Sequence, residues 1–146
     1  MHQAKRFSKS LQGLKAVTVW VYDVSEEARK DGLSRQHLQD AVVVKLLDGG
    51  IRALGLGNVP EPPGNPWLNI FVNTIRSGEI YFYAVTVRMD ENIRMDRNRT
   101  IKTIGTTWEV FSTGITDRKN MTIRLEKAVD ELVEHFLYDF HYANPA

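Results

Sequence analysis

The sequence contains no cysteine among its 146 residues. Without a thiol, the chain can form no disulfide and can supply no thiolate to a zinc site, an iron–sulfur cluster or a nucleophilic mechanism. Cysteine-free chains occur in exported and in cytosolic proteins, so this absence leaves the compartment open. The expected location is exported or periplasmic if a signal peptide has been removed, and cytoplasmic otherwise.

Long apolar runs and strong net charge are also lacking. No segment approaches the roughly 18–20 consecutive apolar residues of a membrane helix, so no transmembrane segment is expected. The net charge is +1, which creates no overall field toward nucleic acid or an anionic membrane. With 42% hydrophobic residues, a chain of this length fits one domain with a core. We expect a flexible N-terminal arm over residues 1–13 and a single domain over residues 14–143.

Apolar and polar side chains alternate along residues 80–95, which is typical of a β-strand with one face on a core. Similar patterns predict strands over residues 14–24, 51–56 and 67–73, and a last strand that ends near residue 113. Turns are expected at residues 76–79 and 96–99, and a bulge is expected near residues 102–105. The core-facing parity of residues 80–95 consists of Tyr81, Tyr83, Val85, Val87, Met89, Glu91, Ile93 and Met95.

Two helices complete the predicted fold. Ser34 is a good N-cap for a helix through about Asp48, which the pair Gly49-Gly50 would end. A second helix carries an unbroken apolar stripe, formed by Leu125, Ala128, Val129, Leu132, Val133, Phe136, Leu137 and Phe140. The predicted fold class is α+β: a two-layer sandwich in the order β-α-β-β-β-β-α, with a mostly antiparallel sheet and two helices on one face.

Large apolar side chains also occur at the alternate strand positions that should lie on the sheet face opposite the helices. In the first strand this assignment is open, since Trp20 fits either face. One core cannot bury both faces of a sheet, so these residues form a candidate interaction face. Its members are Trp20, Tyr22, Phe71, Asn73, Phe82 and Phe111.

Several motifs resemble ligand sites but lack an essential part. Gly55-Leu56-Gly57 is followed by a proline-rich loop and not by the helix N-terminus that a phosphate site needs. Glu131, His135 and Asp139 share a helical face, but no strong third nitrogen or sulfur ligand comes from another element. This spacing also suits a solvated helix face, so we expect no metal and no other cofactor.

Catalytic and nucleic-acid sites are equally poorly supported. No G-x-S-x-G motif occurs, and the neighbouring carboxylates Asp90 and Glu91 should lie on opposite faces of their strand. The hairpin at residues 88–102 is basic, but Tyr81 and Tyr83 share the core parity and so should not stack on bases. The protein is therefore expected to be neither an enzyme nor a nucleic-acid binder.

Four segments together resemble a widespread group of small uncharacterised bacterial α+β proteins, often made with a signal peptide. They are residues 14–19, 31–34, 50–52 and 66–70. The resemblance covers nearly the whole chain and implies an exported, periplasmic location. The element order is also similar, at the level of fold alone, to LptE-type envelope assembly domains, although a chain without cysteine departs from the lipoprotein pattern.

The surplus of apolar residues on the sheet points to a partner and not to chemistry. The leading hypothesis is a non-catalytic binding or assembly module, which uses its outer sheet face or a sheet edge against another protein or a second copy of itself, as a homodimer. The alternative is a carrier for a small apolar ligand, held between the helices and the sheet or under the loop of residues 58–66. A weaker alternative is an enzyme of unrecognised type.

Overall fold

The computed structural model describes residues 8–54 and 62–146, which form an α+β protein with a five-stranded mixed sheet and three α-helices. The predicted α+β class is thereby confirmed. The strands are β1 Ala16–Val21, β2 Arg52–Leu54, β3 Trp67–Ser77, β4 Ile80–Met95 and β5 Asn98–Asp117. The helices are α1 Glu26–Lys30, α2 Arg35–Asp48 and α3 Met121–Ala143. Within the described ranges, no helix is long and apolar enough to cross a membrane.

The strands lie in the order β2-β1-β3-β4-β5. β1 is parallel to both of its neighbours, while β3, β4 and β5 form an antiparallel meander. The predicted parallel pairing of β1 with β2 is confirmed, and helices α1 and α2 supply the crossover that a parallel pair needs. The description of the sheet as mostly antiparallel applies to β3–β5, since two of the four pairings are parallel.

Helix α2 begins and ends as the sequence predicts. The hydroxyl of Ser34 accepts a hydrogen bond from the His37 backbone N–H at 3.1 Å. At the other end, the Gly50 N–H donates to the carbonyl of Leu47 and the Ile51 N–H donates to the carbonyl of Leu46. Gly50 adopts a φ of 91°, so this is a Schellman motif that turns the chain directly into β2.

The core forms where alternate side chains of the strands, those on one face of the sheet, pack against the apolar stripe of α3. Each of the stripe residues predicted from the sequence is buried, and Leu125, Val133 and Phe136 expose no surface. They share one cluster with the alternate valines of β1 and β4, which are also fully buried. The 3.6-residue and two-residue periods therefore identified the same core from both sides.

The N-terminal segment is more ordered than the sequence suggested. Ser8–Leu11 forms a short 3₁₀ turn in which Leu11 is fully buried. The side chain of Asn144 accepts a hydrogen bond from the Gly13 N–H at 2.7 Å and donates one to the Leu11 carbonyl at 2.9 Å. Residues 8–13 thus belong to the packed domain and not to a flexible arm, while residues 1–7 lie outside the described ranges.

The long hairpin of β4 and β5 continues beyond the rest of the sheet. β3 begins at Trp67, which pairs with Asp90, so residues 91–105 form a ribbon of two strands. The predicted core parity is therefore buried only as far as Met89, and Ile93 and Met95 remain half-buried. The pairing of β4 with β5 shifts at two places. Between Met89 and Asp90 the extra residue on β5 is Thr107, and between Arg94 and Met95 the partner changes from Lys102 to Asn98. The bulge predicted near residues 102–105 lies between these two shifts.

One polar cluster fixes the segment after α1 to the sheet. The Asp31 carboxylate accepts hydrogen bonds from the Tyr81 hydroxyl and from Arg118 Nε, the latter at 2.9 Å, and Arg76 Nη1 lies 3.6 Å away. The hydrogen bond from Tyr81 is the main cause of a lowered pKa of Asp31, and Arg118 lowers it further. Burial and the same carboxylate raise the pKa of Tyr81 to about 12.

This cluster predicts loss of stability at both extremes of pH. An unfolded tyrosine has a pKa of about 10, so above that pH the unfolded chain loses a proton that folded Tyr81 keeps until about pH 12. An unfolded aspartate has a pKa of about 3.9, so acidification below that value protonates the unfolded chain first. The urea concentration at the midpoint of unfolding should therefore fall when the pH is raised above about 10 and when it is lowered below about 3.9. Both decreases should be smaller in Tyr81→Phe than in the wild type. Identical slopes in the two proteins would contradict the assignment, and Tyr22→Phe is the control.

Candidate functional site

All six residues of the predicted interaction face lie on the sheet face opposite the core parity. Phe71, Thr86 and Phe111 pair across β3, β4 and β5 in one row, and Asn73 lies in the next row. Trp20 pairs with Asn69 on that side, which resolves the ambiguity of the first strand. Tyr22 stacks on Phe71 with ring centroids 4.3 Å apart. The structure thus brings the six residues together.

Two cations cover part of this face from within the same chain. The Arg35 guanidinium lies 4.0 Å from the centre of the Trp20 ring, and Arg88 lies 4.7 Å from that of Phe71. Trp20 and Phe71 are consequently half-buried, whereas Phe111 exposes 70% of its surface. The exposed apolar surface is therefore centred on β4 and β5 and lies away from β1.

Three isoleucines outside the predicted interaction face complete the exposed apolar surface of the sheet. Ile75 and Ile115 flank Phe82 in a second row and are 71% and 61% exposed. Ile80 lies on the same face at its far end. Their parity could have identified them, because Ile75 follows Phe71 by four residues and Ile115 follows Phe111 by four. The apolar outer face, as we define it, consists of Tyr22, Phe71, Ile75, Ile80, Phe82, Phe111 and Ile115.

A polar network lies on the same side of the sheet, at the base of the projecting ribbon. Asp90 Oδ2 accepts hydrogen bonds from Asn69 Nδ2 at 2.6 Å and from Arg88 Nε at 3.0 Å, and Oδ1 accepts one from Thr106 at 2.5 Å. Burial alone would raise the pKa of Asp90, but these three hydrogen bonds outweigh it and lower the pKa below its ordinary value.

Glu91 follows Asp90 in β4 and was expected on the opposite face of the strand. The alternation of β4 continues here, because Glu91, Ile93 and Met95 are less exposed than Asn92 and Arg94. Both carboxylates nevertheless line one groove beside Trp67, at the base of the projecting ribbon. Glu91 Oε2 accepts a hydrogen bond from the Thr107 hydroxyl at 2.5 Å, and Thr107 is the extra residue of the bulge.

The face of α3 that carries Glu131, His135 and Asp139 is not solvated along its whole length. Asp139 is fully buried and accepts a hydrogen bond from Trp108 Nε1 at 2.8 Å, whereas Glu131 is exposed. The i, i+4, i+8 spacing drifts around the helix far enough to turn Asp139 toward β5. In the part of the chain that the structure describes, no three His, Asp or Glu side chains lie close enough together to hold a metal ion.

The remaining motifs offer no site within the described ranges. Tyr81 and Tyr83 are buried, as their parity predicted, so they present no surface to a nucleic-acid base. The glycines of the suspected phosphate loop fall at residues 55–57, outside the described residues. Between α2 and α3 lie an open groove of about 640 Å³, lined largely by charged side chains such as Asp40, Lys45 and Glu134, and a second space of only about 40 Å³. Ordinary ligand pockets have volumes of roughly 300–1,000 Å³ and mostly apolar walls, so neither space resembles a site for an apolar ligand.

Comparison of the chain with protein-family models and with curated proteins found no match.

Proposed function

We propose that the protein is a non-catalytic association module whose apolar outer face packs against a second copy of the chain. The observation that supports this is the row of Ile75, Phe82 and Ile115, in which each side chain is about half exposed or more. The proposal includes a two-layer arrangement, in which both long helices cover the core face and leave the other face for a partner. Contiguous apolar surface of this kind is typical of an interface.

The relief of the apolar outer face suits self-association. The row of Phe71, Thr86 and Phe111 and the row that contains Phe82 are separated by a row of smaller side chains, Asn73, Ala84 and Thr113. Two-residue steps along a strand put successive rows about 7 Å apart. A ridge of one copy can therefore enter the trough of its partner. A twofold contact does this reciprocally, and closed dimers are the commonest assemblies.

The apolar outer face is smaller than a dimer interface of standard size. From Ile80 to Thr86, at about 3.4 Å per residue and with about 4.8 Å between the axes of four neighbouring strands, the projected area is on the order of 300 Å². The accessible area is larger, because the surface is ridged. Dimers of standard size bury about 800 Å² per partner. Face-to-face packing of two sheets at a spacing of about 10 Å is the expected geometry.

A second contact geometry is available at the free edge of β5. This strand ends the sheet, and its outer edge pairs with no other strand of the described residues. Between Thr103 and Thr116 its only charged residue is Glu109, whereas edge strands are ordinarily protected by charge or proline. Antiparallel pairing of two β5 strands would also be twofold. The carrier hypothesis has less support, because the groove of about 640 Å³ between α2 and α3 is lined largely by charged side chains, which do not suit an apolar ligand.

We expect the wild-type protein to sediment as a dimer at micromolar concentration, and the variant Phe82→Ser with Phe111→Ser to sediment as a folded monomer. The double substitution removes the two most prominent aromatic side chains of the face, and interface energy is concentrated in such residues. Analytical ultracentrifugation measures the mass of each species, and circular dichroism checks that the variant is folded.

The matched control is Ile123→Ser with Tyr142→Ser, which removes exposed side chains of α3 and should leave the mass unchanged. Amide hydrogen exchange separates the two contact geometries. Dimerisation through the edge slows exchange along the outer side of β5, whereas dimerisation through the face does not. A monomeric wild type, or a face variant that keeps the dimer mass, would reject the proposed contact.

A further inference from the structure

A groove of about 400 Å³ opens where the projecting ribbon leaves the sheet. Two aromatic side chains, Tyr22 and Trp67, and several polar ones line it. Trp67 is held in place, because its indole N–H donates to Asn65 Oδ1 at 3.2 Å. Volumes of a few hundred Å³ with aromatic walls and a few fixed polar groups are typical of small-molecule sites.

Asn69 lines this groove and holds an unsatisfied acceptor. The residue is only 5% exposed, and its Nδ2 donates to the Asp90 carboxylate, which fixes the orientation of the amide. Its Oδ1 is buried and accepts no hydrogen bond from any described residue. A buried acceptor without a donor costs free energy, and because this oxygen is sealed from solvent, a ligand reaches it only when the Asn69 side chain turns toward the groove.

The charge of the groove is negative. Asp90 is neutralised by Arg88 and saturated by its three donors. Glu91 accepts only the Thr107 hydroxyl and forms no ion pair with a described residue, so its charge is uncompensated. A cation is therefore the ligand that the groove favours. A metal ion is a poor fit, because the oxygens of Asp90 are already occupied and the described residues form no cluster of three metal ligands.

We propose that the groove binds a small organic molecule that carries a guanidinium group. A guanidinium is flat and positively charged, and it presents five N–H donors in one plane. It can stack on Trp67 or Tyr22 while it donates to the Glu91 carboxylate. The volume of the groove exceeds that of the head group alone, so the ligand has room for a short alkyl chain. This site does not depend on the proposed self-association.

The test compares N-butylguanidine with N-butylurea, a neutral molecule of nearly the same shape, by NMR titration of ¹⁵N-labelled protein. N-butylguanidine should give saturable shifts of the Trp67 indole N–H and the Asn69 amide. N-butylurea should bind at least about tenfold more weakly, since it lacks the charge that Glu91 attracts. No saturable shift up to tens of millimolar, or equal binding of the two molecules, would overturn the proposal.

Two variants separate a specific site from general attraction. Glu91→Gln keeps the shape of the side chain and removes its charge, so it should weaken N-butylguanidine at least about fivefold and leave N-butylurea unchanged. The control Glu131→Gln removes an exposed charge of α3 and should change neither affinity. Equal losses in both variants would show that net charge alone attracts the cation, and the proposed site would then be wrong.

Discussion

Replacement of Phe136 by alanine is expected to lower the free energy of unfolding by about 3–5 kcal/mol. Phe136 exposes no surface, and its ring meets the edge of Trp108 at a centroid distance of 5.0 Å and an angle of 82°. The substitution would remove this aromatic contact and leave a cavity between α3 and the sheet. Small domains have total stabilities of about 5–15 kcal/mol, so the loss is a large share of the whole.

Urea unfolding of Phe136→Ala measures this loss, and Ile123→Ala is the control on the same helix. Ile123 is 70% exposed, so its truncation should change the free energy of unfolding by no more than about 0.5 kcal/mol. An unchanged midpoint for Phe136→Ala would mean that the stripe of α3 faces solvent or a partner, which contradicts the described core.

Replacement of Asp139 by alanine is expected to cost about 1–3 kcal/mol, because it leaves the Trp108 N–H buried without its acceptor. This donor lies 2.8 Å from Asp139 Oδ2, and both residues are buried. The free energy of unfolding from urea titration is the measurement, combined with the near-ultraviolet circular dichroism signal of the tryptophans.

Two substitutions make the result for Asp139 interpretable. Asp139→Asn keeps an oxygen acceptor for Trp108, so it should cost less than alanine. Glu131→Ala, eight residues earlier on the same helix, should have almost no effect because its side chain is exposed and its contact with Lys127, at 3.9 Å, is a surface ion pair. If both alanine variants behave alike, Asp139 is not the buried partner that the structure shows.

Features with a local cause could be predicted from the sequence. The cap at Ser34, the glycines that end α2 and the apolar stripe of α3 depend on residues within one or two helical turns. The parity of Phe71 and Phe82 follows in the same way from the two-residue period of a strand. These signals need no knowledge of which segments meet, so the α+β class and the composition of the core could be inferred.

Features that depend on distant partners could not be predicted. Asp139 looked solvated because the sequence does not show that Trp108 lies beside it. The coverage of Trp20 by Arg35 and of Phe71 by Arg88 requires the strand register and the position of α2. The bulge at Thr107 also depends on the register of β4 and β5.

The hydrogen bonds that join Asn144 to Leu11 and Gly13 have a consequence for synthesis of the protein. Residues near the beginning of the chain acquire these partners only when residue 144 has left the ribosome. The same delay applies to the part of the core that α3 covers, so this part of the sheet stays exposed until α3 has left the ribosome. Translation at about 5–20 residues per second makes this exposure last for seconds, a period in which nascent sheets are prone to aggregate. Emergence of α3, and not emergence of the sheet, is therefore the step after which this domain can become fully folded.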